Sequence, residues 1–473
     1  MNEHFDNNEA ICAVSTPAGV GAIAVIRVTG KDSISITNRY FAPLKGVTLS
    51  ETKSHSARFG TFVKDGEIVD EVVISVFKAP HSFTGEDTIE ISCHGSQYVQ
   101  QRILNVLVEA GVRLAQPGEF SKRAFLNGRI DLAQAEAVAD LIASETYAAH
   151  KVALNQMRGG FSTELSRMRS SLLELVSLME LELDFSDEDV EFADRRKLQN
   201  MVTECSEHIS GLTESFKLGN VVKNGVPVAI VGATNTGKST LLNAILGEER
   251  AIVSEIHGTT RDYIEDTVNL GGVMFRFIDT AGIRKTSEEI EILGIGKTYE
   301  KIHSASVVIL MLDAQRPDNF DDGILQLKKA IDNGDQQVII ILNKTDIVES
   351  QTILLSEIKK LTKEMQINCK GILPLSAKEG TGLDRLKSLI IETQNDKSFT
   401  SSSTLVTNTR HYQSLLYANN ALERVTSGLE ESIPTDLLAQ DIREALFHIG
   451  EIVGEVSNEE VLGNIFSKFC IGK

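Results

Sequence analysis

Eight consecutive residues midway along the chain, Gly232-Ala-Thr-Asn-Thr-Gly-Lys-Ser239, have the types and spacing to hold a polyphosphate. Gly232 and Gly237 let backbone amides turn inward onto phosphate oxygens, and the N-terminus of a following helix adds positive dipole. Lys238 can reach the β- and γ-phosphates, and Ser239 offers a hydroxyl to Mg²⁺. Asn235, Thr236 and Thr240 complete the set of contacts expected around the loop. A chance glycine-rich turn is the competing reading. The context weighs against it, because the apolar run Val226 to Val231 reads as a buried strand and Thr240 to Leu246 as a helix, the setting this motif requires.

Three later segments narrow the nucleotide to GTP. Asp279-Thr280-Ala281-Gly282 follows a strand expected over Val273 to Ile278, so that Asp279 can hold the Mg²⁺ water shell and the Gly282 amide can sense the γ-phosphate. Asn343-Lys344-Thr345-Asp346 follows a strand over Gln337 to Leu342. The Asp346 carboxylate can accept both N1–H and the 2-amino group of guanine. Adenine offers neither donor, and an unmatched buried polar group costs about 1–3 kcal/mol. The Lys344 stem can cover the base, and Ser376-Ala377-Lys378, after a strand over Gly371 to Leu375, can meet the guanine carbonyl through backbone N–H groups. Each tetrapeptide is weak alone; four in order, each at a strand end, predict GTP binding.

The residue after Gly282 is Ile283, which cannot orient water as a glutamine would at that place. Charge on the transferring phosphoryl group must also be neutralised, a task worth ~10³–10⁵ in rate when an arginine performs it, or about 4–7 kcal/mol. Arg261, Arg284 and the carboxylates Glu288, Glu289 and Glu291 are the nearby candidates, and spacing leaves the choice among them open. The acids could equally be a solvated helix start, since carboxylates favour the first turn. Gly258-Thr-Thr-Arg-Asp262 lies where a switch segment is expected, with a threonine hydroxyl able to complete the Mg²⁺ shell when the γ-phosphate is present; an ordinary polar loop is the alternative.

These residues must be carried by a chain of 473 residues, too long for one core and suggestive of three domains. Hydrophobic residues make up 42%, tryptophan is absent and aromatics are 5%, so aliphatic cores are expected. The N-terminus is acidic and lacks an apolar stretch, no run reaches membrane-spanning length, and the five cysteines have no Cys-x-x-Cys pair. The reading is therefore a cytoplasmic protein with no membrane partner, disulfide or zinc site. The formal net charge is −19; residues 1–131 carry 13 basic and 15 acidic groups, and the remainder 34 and 51. A protein gripping RNA unaided would show a strong basic surface, so an RNA role here needs a local patch or a second protein.

Residues 1–127 read as mixed α/β, with strands over Ile11 to Val14, Ala22 to Arg27, Val72 to Phe77 and Thr88 to Ser92, and a helix from Tyr98 to Ala110. From about Asp131 the period becomes helical, as in the stripe Leu165, Met168, Leu172, Leu175, Val176, Met179. The acidic run Asp184 to Phe192 reads as a solvated loop rather than a metal site. Helix returns after a polar linker, Asn395 to Ser403, with Leu438, Ile442, Ala445, Ile449 and Ile452 on one face and a capping box at Ser457 and Glu460. The expected fold is an α/β P-loop domain (220–397) inserted into an all-helical domain (128–219 and 398–473), preceded by an α+β domain (1–127). Cys470, near the end, could be a nucleophile on a tail or an incidental thiol at a frayed terminus.

The tail Cys-Ile-Gly-Lys473, together with Phe83-Thr-Gly-Glu-Asp87, Pro117-Gly-Glu-Phe120, Arg123-Ala-Phe-Leu-Asn127 and Asp131-Leu-Ala-Gln-Ala-Glu136, resembles the tRNA uridine-modifying GTPase family MnmE, also called TrmE, over the whole chain. The resemblance implies an N-terminal tetrahydrofolate-binding and dimerising domain, a helical domain and an inserted GTPase. It implies a homodimer that forms a heterotetramer with a flavin-dependent partner and adds an aminomethyl or carboxymethylaminomethyl group to carbon five of the wobble uridine of certain tRNAs. It assigns the water-orienting role to Glu291 and replaces an arginine finger by K⁺ at Asn235, Ser254, Ile256 and Thr259, bound when two GTPase domains meet. Mg²⁺ falls to Ser239 and Thr260, and GTP contacts extend over Ser254, Glu255, Ile256, His257, Gly258, Thr259 and Thr260. Arg27, Glu90, Arg129 and Lys473 match the positions for 5-formyltetrahydrofolate or a related one-carbon folate; position 129 is often lysine in the family, and arginine has a different donor geometry. Cys470 matches a family tail position without acquiring a role. The alternative is an RNA-binding GTPase switch in ribosome assembly, for which a basic RNA-binding module beside the GTPase would be expected.

Overall fold

The computed structural model describes residues 9–184, 195–247, 266–278, 302–331, 336–394, 404–431, 433–457 and 459–472. The chain forms two compact units: Met1–Ile142 with Ala153–Ile209 and Gln413–Lys473, and Ala143–Val152 with Ser210–Tyr412. In chain order the second unit interrupts the first.

The first unit opens with a sheet of β1 (Ile11–Val14), β2 (Ile23–Thr29), β3 (Phe41–Pro43), β4 (Ser56–Lys64), β5 (Glu67–Phe77), β6 (Thr88–His94) and β7 (Arg113–Leu114), in the order β3-β4-β5-β6-β2-β1-β7. All neighbours are antiparallel except β1 and β7. Side chains alternate between the faces. Cys12, Ile26, Val28, Ile74, Ile89 and Ile91 point into a core capped by Ile103, Val106 and Leu107 of helix α2 (Gln97–Glu109), which follows the short helix α1 (Ser33–Asn38) in the chain. The opposite face holds Ile11, Ala13 and, on neighbouring strands, Arg27 and Glu90. Ile11 and Ala13 pack there against Phe120 of helix α3 (Glu119–Leu126).

Two differences from the sequence reading have a common origin. β5 starts at Glu67 rather than Val72, and it pairs with β4, a nine-residue strand that periodicity does not reveal. β4 lies near the sheet's edge, with Arg58, Lys64 and Gly60 among its residues and only Gly60 and Phe62 buried. Few core-facing positions leave little apolar alternation to read.

The helical part of this unit includes a helix over Gly160–Asp184, whose stripe Leu165, Met168, Leu172, Leu175, Val176 and Met179 is buried as the spacing predicts. It packs against the helix Thr435–Val453, where Leu438, Ile442, Ala445, Ile449 and Ile452 are buried. Ion pairs join Arg443 to Glu180, and Arg169 to Glu455 at 2.7 Å. The last helix runs Glu459–Phe466; Asn458, between the two capping-box residues, lies outside the described residues, as do residues 185–192 of the acidic run and the whole polar linker.

The second unit holds a six-stranded sheet of β8 (Val226–Val231), β9 (Asp266–Leu270), β10 (Val273–Phe277), β11 (Val307–Asp313), β12 (Gln337–Asn343) and β13 (Cys369–Pro374), ordered β13-β12-β11-β8-β10-β9. Only β9 is antiparallel to its neighbour. The central strands are buried on both faces, which is why β11 and β12 read as unbroken apolar runs. A parallel sheet aligns its strand carboxyl ends, and ligands of such sheets bind at that edge. Among the described residues no helix is long and apolar enough to cross a membrane, and no cluster of three potential metal ligands forms.

Candidate functional site

The loop after β8 leads into a helix over Lys238–Gly247. Three of its residues adopt left-handed backbone: Gly232 at φ 152°, Asn235 at 60° and Gly237 at 99°. The glycines are obligatory for space as well as conformation. A β-carbon on Gly232 would sit 2.4 Å from the Met311 carbonyl oxygen, and one on Gly237 2.4 Å from Asn343 Nδ2. Thr236 Oγ1 donates to the Ala233 carbonyl at 2.9 Å, and Lys238 Nζ donates to the carbonyls of Gly232 and Ala233 at 2.8 and 2.7 Å. The ammonium therefore lies over the loop that carries the backbone amides. Ser239 is half-buried, while Asn235 and Thr240 are exposed.

Asn343, at the end of β12 and 2% exposed, joins this loop to a second one. Its Nδ2 donates to the Thr236 carbonyl at 2.7 Å, and its Oδ1 accepts from the Ala377 amide at 3.0 Å. One side chain thus fixes the phosphate loop against Ser376–Lys378. Ser376 is buried, donates its amide to the Thr381 carbonyl at 3.0 Å and accepts from the Glu379 amide at Oγ. Lys344 takes a left-handed conformation at φ 63°, and its Nζ pairs with Asp313 Oδ2 at 2.7 Å. Asp346 follows in a 3-10 turn with its side chain in solvent, and Lys378 is exposed too. Asp313 is a site residue that the sequence reading missed. Its signal was an acid terminating an otherwise wholly apolar strand, where it can anchor the lysine one strand over.

Of the remaining predicted nucleotide and metal residues, Ser254, Glu255, Ile256, His257, Gly258, Thr259, Thr260, Asp279, Thr280, Ala281, Gly282 and Glu291 lie outside the described residues, as do Arg261 and Arg284. The oxygen donors that are described, the Ser239 hydroxyl and the Asn235 amide, suit hard cations.

The first unit brings a second set together. Arg27 and Glu90 face each other across β2 and β6, with Glu90 Oε1 accepting from Arg27 Nη2 at 2.7 Å and Nε at 3.0 Å. The pair is 22% and 28% exposed. The guanidinium lies 5.8 Å from the centre of the Phe83 ring and 5.6 Å from that of Phe120. Arg129 is exposed and rests its stem on the same loop, because its Cγ would lie 3.1 Å from a β-carbon on Gly85, which sits at φ 78°. The tail completes the arrangement. Ser15 Oγ donates to the Gly472 carbonyl at 3.2 Å, and the Gly118 amide to the Cys470 carbonyl at 3.4 Å. Gly472 is at φ 91°, and a β-carbon there would meet the Val14 carbonyl oxygen at 2.4 Å. Lys473 itself lies outside the described residues.

The thiols divide by environment. Burial pushes Cys12 up to about 12 and Cys93 and Cys205 to about 11, so these three stay protonated and inert. Cys470 is exposed on a tail whose backbone is held at both flanks. Beneath the tail, burial pushes the Glu119 carboxyl up, but hydrogen bonds from Arg113 and the Gln116 amide and the charges of Arg113 and Arg123 outweigh it and hold the group below the usual carboxylate range.

The family model described as the MnmE helical domain matches residues 132–470, and that for the N-terminus of the GTP-binding protein TrmE matches residues 10–129. A tRNA modification GTPase MnmE from Bacteroides thetaiotaomicron is 50% identical over 473 residues, covering 99% of this chain and all of that one. Its namesake from Flavobacterium johnsoniae is 50% identical with the same coverage. The one from Cytophaga hutchinsonii is 48% identical over 99% of this chain and 98% of its own.

Proposed function

The chain belongs to the tRNA modification GTPase MnmE family and is a GTP hydrolase; on that premise we propose that its hydrolysis cycle drives modification at carbon five of tRNA wobble uridines, together with a flavin-dependent partner protein in the cytoplasm. The observation that carries the nucleotide half of this reading is the double hydrogen bond of Asn343, which holds a phosphate-binding loop and a base-reading loop at one sheet edge. The full-length similarity supports the tRNA half.

In this reading the loop amides and Lys238 bind the phosphates, the nucleotide's oxygens replacing the carbonyls that Lys238 now contacts. Asp346, set at the rim of the site, accepts from N1–H and the 2-amino group of guanine. Lys344, held by Asp313, lies against the base. Glu291 orients the attacking water in place of the glutamine that Ile283 cannot supply. Ser239 and Thr260 would hold Mg²⁺, and Asn235, Ser254, Ile256 and Thr259 would hold K⁺; the ions would offset the negative charge of the phosphates. Two copies of the chain meet through their GTPase domains during the cycle. The Arg27–Glu90 pair suits a tetrahydrofolate, because it sets a donor and an acceptor beside two aromatic faces, with Arg129 at the neighbouring loop and Lys473 on the tail.

The test exchanges K⁺ for Na⁺ at fixed ionic strength and follows GTP turnover with the intact protein. The rate falls in Na⁺, and Glu291→Gln binds GTP but loses most hydrolysis; a rate indifferent to the cation refutes the potassium role. Deleting the protein from its host and analysing tRNA by mass spectrometry tests the uridine assignment, which fails if wobble uridines keep their full modification.

A further inference from the structure

Arg123 is 4% exposed and lies at the centre of a charged network that neither the nucleotide chemistry nor the assigned folate positions use. Its two terminal nitrogens take separate partners: Nη1 donates to Glu86 Oε2 at 3.2 Å and Nη2 to Glu119 Oε1 at 3.2 Å. Its Nε has no partner among the described residues. Glu119 also binds Arg113, so charges of alternating sign run from Arg113 through Glu119 and Arg123 to Glu86. Glu86 Oε2 accepts in turn from Thr29 Oγ1 at 3.3 Å, and Thr29 stands on β2 two residues from Arg27, hence on the same face. Gly30, at φ 114°, makes room for the guanidinium; a β-carbon there would come within 3.0 Å of Nη1.

The two carboxylates lie on different segments. Glu86 belongs to the loop that carries Phe83, and Glu119 to α3, which carries Phe120. Those two rings flank Arg27. The start of α3 is also the seat of the tail, since a β-carbon on Gly118 would strike the Phe466 carbonyl oxygen at 2.5 Å. At the other end of α3, Asn127 Nδ2 donates to the Thr84 carbonyl at 2.7 Å, closing the same loop onto the same helix. An arginine fork can span two carboxylates on separate segments; a lysine's single nitrogen cannot hold both in the same geometry.

We propose that Arg123 is a positioning residue for the N-terminal site: by clamping the 82–87 loop to α3 it sets both the aromatic rings around Arg27 and the seat of residues 466–472. The inference rests on the folate reading for its ligand, but the clamp itself is a statement about this chain alone.

The experiment compares full-length Arg123→Lys, Arg123→Gln, Glu86→Gln and the double variant Glu86→Gln/Arg123→Gln. Two quantities are read: affinity for 5-formyltetrahydrofolate by calorimetry, and amide hydrogen exchange of peptides spanning 118–126 and 464–472, with 226–247 as an internal reference. Losing one partner of a pair whose arginine is buried is more damaging than losing both, so Arg123→Gln and Glu86→Gln each weaken folate binding about tenfold and speed exchange at 464–472 about tenfold, while the double variant recovers part of both. A merely structural arginine would raise exchange throughout its unit without recovery in the double variant, and that result overturns the proposal. If Arg123→Gln does not fold, Arg123→Lys decides: tail exchange and folate affinity equal to the unsubstituted protein's overturn it. If the unsubstituted protein binds no folate, the folate reading fails, and exchange at 464–472 alone decides the clamp.

Discussion

The phosphate loop and the folate site proposed on the N-terminal sheet face are built from different materials. The loop after β8 works through main chain, with glycines at 232 and 237 making room and one buried amide, Asn343, tying it to its neighbour. Its parts lie at the ends of adjacent parallel strands, so local sequence positions nearly everything. The proposed Arg27 site relies instead on side chains from remote stretches, among them Ser15, Phe83, Glu90 and Phe120, and on the Gly472 carbonyl. Its precision depends on partly buried ion pairs and on a tail that returns across 457 residues of sequence. A main-chain site tolerates change in most side chains but not at its glycines; a side-chain site is vulnerable wherever its supports are cut.

The largest expected effect lies at Gly237. Gly237→Val places a β-carbon in the space of Asn343 Nδ2 and forces a branched residue to φ 99°, so GTP affinity falls about 100-fold or more. Folate affinity stays unchanged; a parallel loss would mean that the two sites are not independent. Asn343→Ala comes next. It strands the Thr236 carbonyl and the Ala377 amide, at about 1–3 kcal/mol each, and calorimetry should show GTP binding weakened ~10–100-fold. Gly472→Ala inverts the pattern. With φ 91° and the Val14 carbonyl at 2.4 Å, the tail cannot seat, and folate affinity drops about tenfold while GTP affinity is kept. Wild-type folate binding by this variant would remove the tail from the site.

The smallest effect is in pH. The folded Glu119 carboxyl sits below its unfolded value, so its contribution to stability is complete above the ordinary carboxylate range and is lost as pH falls through and below it. Between about pH 5.5 and 3.5 the melting temperature of the intact protein should therefore drop more steeply than that of Glu119→Gln. Equal slopes would show that the Arg113–Glu119–Arg123 network contributes nothing measurable.

Legibility follows the same division. Val226–Val231 is recovered to the residue and β12 nearly so, because burial on both faces leaves unbroken apolar runs; β11 is just as apolar, yet the sequence reading names no strand there. The helical stripes at Leu165 to Met179 and Leu438 to Ile452 were readable from period alone. β4 was not, since few of its side chains face the core. Asp313 escaped notice because its partner, Lys344, is 31 residues away and becomes a neighbour only when two strands pair. Glu86, Glu119 and Arg123 stand in segments distinctive enough to carry a family resemblance, yet their types suggest only solvated charges. Nothing in a linear chain shows that Arg123 meets a carboxylate 37 residues earlier.

By itself, the order of residues determined the class of nucleotide and the alternation of sheet and helix, because phosphate binding, guanine selection and apolar periodicity are written in short runs of neighbours. Only tertiary structure decided how Arg27 is sandwiched, where the tail rests and which arginine holds the two together. Those contacts depend on distances between remote segments, and such distances exist only once the sheet has paired and the last helix has closed onto it.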